Sequence, residues 1–308
     1  MNDWAMEVRN LRKTYGGTAA VDDISFEVAR GEIFGLLGPN GAGKTTTLES
    51  LEGIRKPDGG TLRILGVDPV AEPGRLRDLI GVQLQTSALP ADMTPAEAMR
   101  FFCAYHRVGE NRALLDRLGL AEKRDSRYGA LSVGQQRRLA LALAVAHRPP
   151  VVILDEPTAG LDVGSRTELH ALMHELRGDG TTILLATHDM AEAEKMAGRV
   201  AILLRGKVIA TGTPRELTAT GAGYTKISVR TEQDLLRDSP DLAALPAVVK
   251  QLVQAEDYTV FFSTDPGLTV PAILARIAGC NDKLIDLRVE RPSLEERFLE
   301  LTNTGGAR

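Results

Sequence analysis

The chain has 308 residues, of which 43% are hydrophobic and 25% charged, and carries a net charge of −4. That length can bury a sizeable core in one large domain or two. The acidic balance argues against a nucleic-acid binder gripping phosphates with a broad basic face, and no nucleic-acid partner is expected.

Cys103 and Cys280 lie far apart with no metal or redox spacing, which points to a reducing compartment. Met1 to Glu7 lacks the basic and apolar segments of a signal peptide. The most apolar window, Leu139 to Ala146, falls far short of the ~20 residues that span a bilayer. The expected location is therefore cytoplasmic.

The chain opens with strand-like runs at Met6 to Leu11, Val21 to Val28 and Glu32 to Leu37. The third leads into Gly38-Pro39-Asn40-Gly41-Ala42-Gly43-Lys44-Thr45, which fits G-x-x-x-x-G-K-[ST]. Thr46 to Leu51 can continue as a helix, with Gly53 placed to stop it. A glycine loop between strand and helix turns backbone N–H groups and the positive helix end toward one anion. Lys44 would reach terminal phosphates, the Thr45 hydroxyl would ligate Mg²⁺, and Thr46 completes the phosphate-binding run.

Lys56 to Gly60 is a turn signal before a strand-like Thr61 to Leu65. Thr94-Pro95-Ala96-Glu97 reads as a capping box opening a helix-rich block, with Gly119 as an internal stop. Ser132-Val133-Gly134-Gln135 is a second capping box and starts another helix. Arg148-Pro149-Pro150 should end that helix, with His147 and Arg148 in its last turn as the dipole prefers. The block, about 90–148, interrupts the strand pattern and is read as a helical subdomain inserted in an α/β core.

Val151 to Leu154 is an apolar run ending in Asp155 and Glu156. Buried parallel strands read this way, and open α/β sheets bind ligands at the carboxyl ends of their strands. Asp155 would hold the Mg²⁺ shell and Glu156 would sit beside the terminal phosphate. Alone, the run could equally be a strand ending in solvated acids. The pattern continues with a helix from Ser165 to Arg177, a strand Thr182 to Thr187, a short helix Met190 to Met196, and a hairpin of Val200 to Leu204 with Lys207 to Thr211.

Thr213 caps one more helix, and Ala219 to Gly223 looks like a linker. Strand-like runs follow at Tyr224–Arg230, Val248–Gln254, Tyr258–Ser263 and Leu284–Glu290, with a helical run at Val270–Ala278. Ser293 caps a final helix with Leu294, Phe298 and Leu301 on one side. Residues 1–220 are thus expected as an α/β domain and residues 221–308 as a small α+β domain.

Taken together, these motifs resemble the ATP-binding subunits of ABC-type transporters, in the family's order from about Met6 to Thr211. Gly38–Thr45 matches the Walker A loop and Asp155-Glu156 the end of the Walker B strand. Leu131-Ser132-Val133-Gly134-Gln135 is similar to the signature loop, with valine where the family has glycine. Asp162 matches the D-loop, His188 the switch histidine, and Tyr15 the aromatic that stacks on adenine. Gln85 matches the Q-loop glutamine, with Gln83 as the alternative. Ile80 to Gln85 and Pro292 to Leu301 resemble the daunorubicin-resistance-type exporter branch.

The resemblance implies a P-loop ATPase fold, with ATP and Mg²⁺ as cofactors. It implies Glu156, His188, Lys44 and Gln85 as catalytic, and Thr45, Gln85 and Asp155 around the metal. Ser132, Gly134, Gln135 and Asp162 would contact ATP held by a second copy, which makes the partner a homodimer. The other partner implied is a membrane-spanning permease, placing the subunit peripherally at the cytoplasmic face. Export of a drug, lipid or polysaccharide-like cargo follows by the same resemblance; the alternative is a regulatory ATPase not coupled to transport.

Overall fold

The computed structural model describes residues 4–85, 89–219, 224–233, 245–254, 258–290 and 292–304. Two long strands, β1 (Trp4–Tyr15) and β2 (Thr18–Ala29), pair antiparallel and are followed by β3 (Ile33–Leu37), α1 (Lys44–Leu51) and β4 (Gly59–Ile64). Next come α2 (Pro73–Leu79), β5 (Ile80–Gln83), α3 (Pro95–Tyr105), α4 (Arg112–Arg117) and α5 (Val133–Ala144). The α/β alternation resumes with β6 (Val151–Asp155), α6 (Val163–Gly178), β7 (Thr182–Thr187), α7 (Met190–Met196), β8 (Arg199–Leu204) and β9 (Lys207–Gly212).

Two sheets result. A six-stranded sheet runs in the order β5-β6-β7-β3-β8-β9, and a three-stranded antiparallel sheet runs β2-β1-β4. All neighbours in the larger sheet are parallel except β8 and β9. Its central strands are buried on both faces, which is why β3, β6 and β7 read as unbroken apolar runs rather than alternating ones. One face, through Phe34, Leu36, Ile153, Leu184 and Ala186, shares a core with Met6, Val8, Ile24, Phe26, Leu48 and Leu51 from the smaller sheet and α1. Phe26 and Phe34 stack there at 5.4 Å.

Between β5 and β6 stands the helical block. Both expected capping boxes form: Thr94 accepts from the Glu97 amide at 3.2 Å, and Ser132 from the Gln135 amide at 3.3 Å. The end of the block departs from expectation. α5 stops at Ala144, so His147 and Arg148 lie beyond it, and Arg148 has a left-handed backbone. His147 instead stacks flat on His106 at 3.7 Å. Burial, with the neighbouring His106, drives its pKa down to about 4, so it brings no positive charge to a helix end at neutral pH. The strand expected over Thr61–Leu65 ends at Ile64 because Leu65 turns left-handed ahead of Gly66.

The chain divides into two compact units, Met1–Pro214 and Arg215–Arg308. Helix α8 (Pro214–Ala219) begins at that division. The expected linker coincides with the end of α8 at Ala219 and otherwise lies outside the described residues. In the second unit, β10 (Thr225–Thr231), β11 (Val248–Gln254), β12 (Tyr258–Ser263) and β13 (Leu284–Glu290) form an antiparallel sheet in the order β11-β12-β10-β13. α9 (Pro266–Gly279) packs Ile273 and Ile277 against Ile227, Val229 and Phe261. It starts four residues before the expected run because Asp265 caps it, accepting from the Gly267 amide at 2.9 Å. α10 (Leu294–Thr304) closes the described chain, with Ser293 accepting from the Glu296 amide.

Candidate active site

Register assembles the site. β3 and β6 flank β7, with Leu37 opposite Thr187 and Asp155 opposite Ala186. Three chain segments therefore leave the sheet at one level: the glycine loop after Leu37, His188 after Thr187, and Glu156 after Asp155. β5 pairs with β6 on the far side, Gln83 opposite Leu154, and delivers Gln85 to the same edge.

The glycine loop needs its glycines. Gly38, Gly41 and Gly43 have φ of +153°, +80° and +104°, conformations L side chains rarely adopt. A Cβ on Gly38 would meet the Leu203 carbonyl at 2.4 Å, and one on Gly43 the Ala20 carbonyl at 2.7 Å. Gly43 is the N-cap of α1, so the orphan amides of that helix face the loop's concave side. Lys44 is buried and folds back over the loop, donating to the Gly38 carbonyl at 2.7 Å, with Glu156 Oε1 at 3.5 Å.

A cavity of about 360 Å³ lies over the loop. Pro39, Asn40, Gly41, Gly43, Lys44, Thr45 and Thr46 form its floor, while Tyr15, Gln85, Asp155 and Glu156 line the walls. Tyr15 is 41% exposed, with the Arg55 guanidinium 5.2 Å and the Lys13 ammonium 5.7 Å from its ring centre. Gln85 lines the cavity, and its carbonyl accepts from Arg137 of α5 at 2.7 Å. Gln83 is buried in β5 with neither amide atom partnered. Gly38 and Ala42 lie buried beneath the floor rather than on it.

Thr45 donates to Asp155 Oδ2 at 3.2 Å, so a hydroxyl and a carboxylate converge at the loop's rim. Burial pushes the Asp155 carboxyl above its usual range and the charge of Glu156 adds to this, while the Thr45 hydroxyl opposes it. Hard oxygen donors with surplus negative field suit Mg²⁺, which takes one or two carboxylates plus phosphate oxygens rather than an all-protein cage. Among the described residues no cluster of three His, Cys, Asp or Glu side chains forms such a cage. Glu156 has φ +49° and is held on both sides, by Lys44 and by His188 Nδ1 at 2.8 Å from Oε2.

Besides Gly38 and Ala42, five residues of the sequence reading do not line this cavity: His188, which reaches it only through Glu156, and four at the starts of α5 and α6. Ser132 and Gln135 face each other across the start of α5, and Gln135 Oε1 accepts from the Ser132 amide at 2.9 Å. Gly134 packs against the start of α6: a Cβ there would meet Ser165 Oγ at 2.8 Å. Asp162 caps α6, accepting from the Ser165 amide and hydroxyl, and that amide holds its carboxyl below the usual range. Val133 is an exposed residue of the first helical turn with no left-handed strain, so the backbone does not require the family's glycine there. The sequence reading also missed Ala20, which lines the cavity from β2 and carries no motif.

Comparison with known proteins agrees with the geometry. A family model described as ABC transporter matches residues 21–159. Nod factor export ATP-binding protein I of Ralstonia nicotianae is 37% identical over 306 residues, covering 96% of this chain and 93% of the relative. Daunorubicin resistance ATP-binding protein DrrA3 of Streptomyces coeruleorubidus is 35% identical over 312 residues, covering 98% and 97%. A solved ATP-binding subunit of an ABC transporter aligns at TM-score 0.65 and 30% identity, over 69% of this chain and 91% of that one. A dimeric ATP-binding cassette in a post-hydrolysis state with ADP and Pi aligns at TM-score 0.62 and 25% identity, over 68% and 98%. The chain belongs to the ABC transporter family, as one of its ATP-binding, ATP-hydrolysing subunits.

Proposed function

We propose that this subunit works as a nucleotide-clamped homodimer at the cytoplasmic face of a membrane, driving export through a separate permease. The observation that carries the reading is the placement of Glu156 in one cavity with Lys44 and the Thr45–Asp155 pair, while His188 holds its other carboxylate oxygen from outside the lining. Tyr15 stacks on the adenine, and the amides of Gly41 to Thr46 with Lys44 hold the phosphates. Thr45, Asp155 and Gln85 would hold Mg²⁺, which when bound would supply charge neutralisation at the terminal phosphates.

Glu156 orients and deprotonates the attacking water, and His188 faces the terminal phosphate from the next strand end. Lys44 stabilises the charge that spreads over the departing phosphoryl group. Ser132, Gly134, Gln135 and Asp162 lie off the cavity of their own chain, so a second copy presents them to the nucleotide. An anion at a helix start of this kind is typically favoured by ~0.3–1 kcal/mol. The dimeric relative with ADP and Pi supports that arrangement.

Export is supported by the full-length relatives, which are named for Nod factor export and daunorubicin resistance. These names favour a drug, lipid or polysaccharide-like cargo, and transport over an uncoupled regulatory ATPase. A second cavity of about 420 Å³, lined by Ile54, Val82, Leu84, Leu89, Phe102 and Tyr128, opens beside the Gln85 segment and offers the permease an apolar seat. No helix among the described residues is long and apolar enough to cross a membrane. Residues 1–220 would form the ATP-binding domain, with its helical subdomain at about 90–148, and residues 221–308 an accessory domain for dimer contact or regulation.

The test is affinity capture of the tagged chain from detergent-solubilised membranes, followed by Mg²⁺-dependent ATPase assay. A multi-span permease should co-purify and raise turnover. Capture of the chain alone, with ATPase unaffected by membrane extract, would refute the transport reading.

A further inference from the structure

Behind the active site lies a buried polar cluster that none of the sequence motifs uses. Glu192, on α7, is 3% exposed, His170 on α6 is 5% and Thr158 is 4%. Thr158 Oγ1 donates to Glu192 Oε1 at 2.6 Å, and His170 Nε2 lies 2.9 Å from the same oxygen. Glu192 Oε2 and His170 Nδ1 are buried without a hydrogen-bond partner. Neither Lys nor Arg forms an ion pair with Glu192 among the described residues.

Such a cluster is an expensive way to fill space. A buried carboxyl with one oxygen unpartnered costs free energy that an apolar side chain of similar volume would not. What it does supply is connection. Thr158 sits in the turn directly after Glu156, where Ala159 donates back to the Glu156 carbonyl. Glu192 lies in the first turn of the helix that follows His188, and its amide donates to Asp189. His170 is on the helix that Asp162 caps. One carboxyl oxygen therefore joins the three segments that carry Glu156, His188 and Asp162.

We propose that Glu192 is a positioning residue for ATP hydrolysis: by tying the turn after Glu156 to α7 and α6, it fixes His188 against Glu156. The inference rests on the roles given above to Glu156 and His188. It needs no contact between Glu192 and the nucleotide. Displacing a reacting group by about 1 Å through a remote change can cost about a hundredfold in rate.

The experiment compares single-turnover MgATP hydrolysis and nucleotide affinity in the full chain. Glu192→Ala should lower the rate about tenfold to a hundredfold with ATP affinity within about twofold of the wild type. Glu192→Gln, which keeps the shape and an acceptor oxygen, should recover most of that loss. In a His188→Ala background, Glu192→Ala should add little, since both changes disable the same contact.

An unchanged rate in Glu192→Ala, or a loss that multiplies fully with that of His188→Ala, would overturn the proposal. Should Glu192→Ala not fold, Thr158→Val carries the test, because it removes one donor and keeps the volume. A slower rate at unchanged affinity supports the proposal, and a wild-type rate overturns it. Glu156→Gln separates the two levels. If it hydrolyses normally, the active-site reading has failed. If it is dead while Glu192→Ala and Thr158→Val are normal, only the present inference has.

Discussion

Lys44 Nζ stands 3.5 Å from Glu156 Oε1 with both side chains shielded from water, and donates to the Gly38 carbonyl at 2.7 Å. The lysine thus ties into its own loop and faces the acid across from it. A terminal phosphate would take over this cation and leave Glu156 to its water. Lys44→Ala removes a charged donor worth roughly 1.5–3 kcal/mol, so ATP affinity should fall about tenfold to a hundredfold. Isothermal titration with ATP reads this directly, and an unchanged affinity would remove Lys44 from the phosphate site.

In the proposed mechanism Glu156 accepts a proton rather than binding phosphate, and Lys44 and His188 hold its carboxylate in place. Glu156→Gln preserves volume and hydrogen bonding but loses basicity. Turnover should drop by about 10²–10⁴ with affinity intact, and the ATP-loaded dimer should persist on a sizing column. Retention of more than a tenth of wild-type turnover would move the general base elsewhere.

The contact between Gly134 and Ser165 links the start of α5 to the start of α6. Gly134→Ala puts a methyl 2.8 Å from Ser165 Oγ, which must rotate away from Asp162. Binding of ATP by the single chain should be unaffected, because neither residue lines that cavity. ATP-driven dimerisation should weaken by at least severalfold, measured by analytical ultracentrifugation. Equal dimerisation in variant and wild type would detach these two helix starts from the composite site.

The sequence revealed features that rest on local chemistry. The glycine loop, both capping boxes and the buried strand ending in Asp155-Glu156 are each written in consecutive residues. The arrival of the loop and the strand end in one cavity depends on a parallel register that no short window encodes. β5 is not legible as a strand: four residues, three of them buried and Val82 half-buried, are too few to show an alternation. Its neighbour α2 has one buried residue, Leu76, and so little periodicity. Ala20 lines the cavity only because β2 passes over the loop, and the Thr158–His170–Glu192 cluster joins positions whose spacing matches no motif. Arg148-Pro149-Pro150 reads as the stop of α5, whereas the helix ends at Ala144 and the chain continues through hydrogen-bonded turns to Arg148.

Glu52 offers a last check, through pH. It follows α1 and lines the apolar cavity beside the Gln85 segment, with Oε2 buried and unpartnered. Burial, then the charges of Asp155 and Glu49, push its pKa from 4.5 to about 7. The folded protein therefore keeps a proton here that the unfolded chain releases near 4.5. Its contribution to stability is fully present below that pH and is lost as pH rises through about 7. A shift of this size corresponds to at most about 3 kcal/mol. Glu52→Gln, neutral at every pH, should match the wild type near pH 4 and melt several degrees higher at pH 8 in the absence of nucleotide. Thermal melts of both proteins from pH 4 to 8 give the comparison; a difference that does not change with pH would mean that the Glu52 carboxyl finds water or a cation in solution.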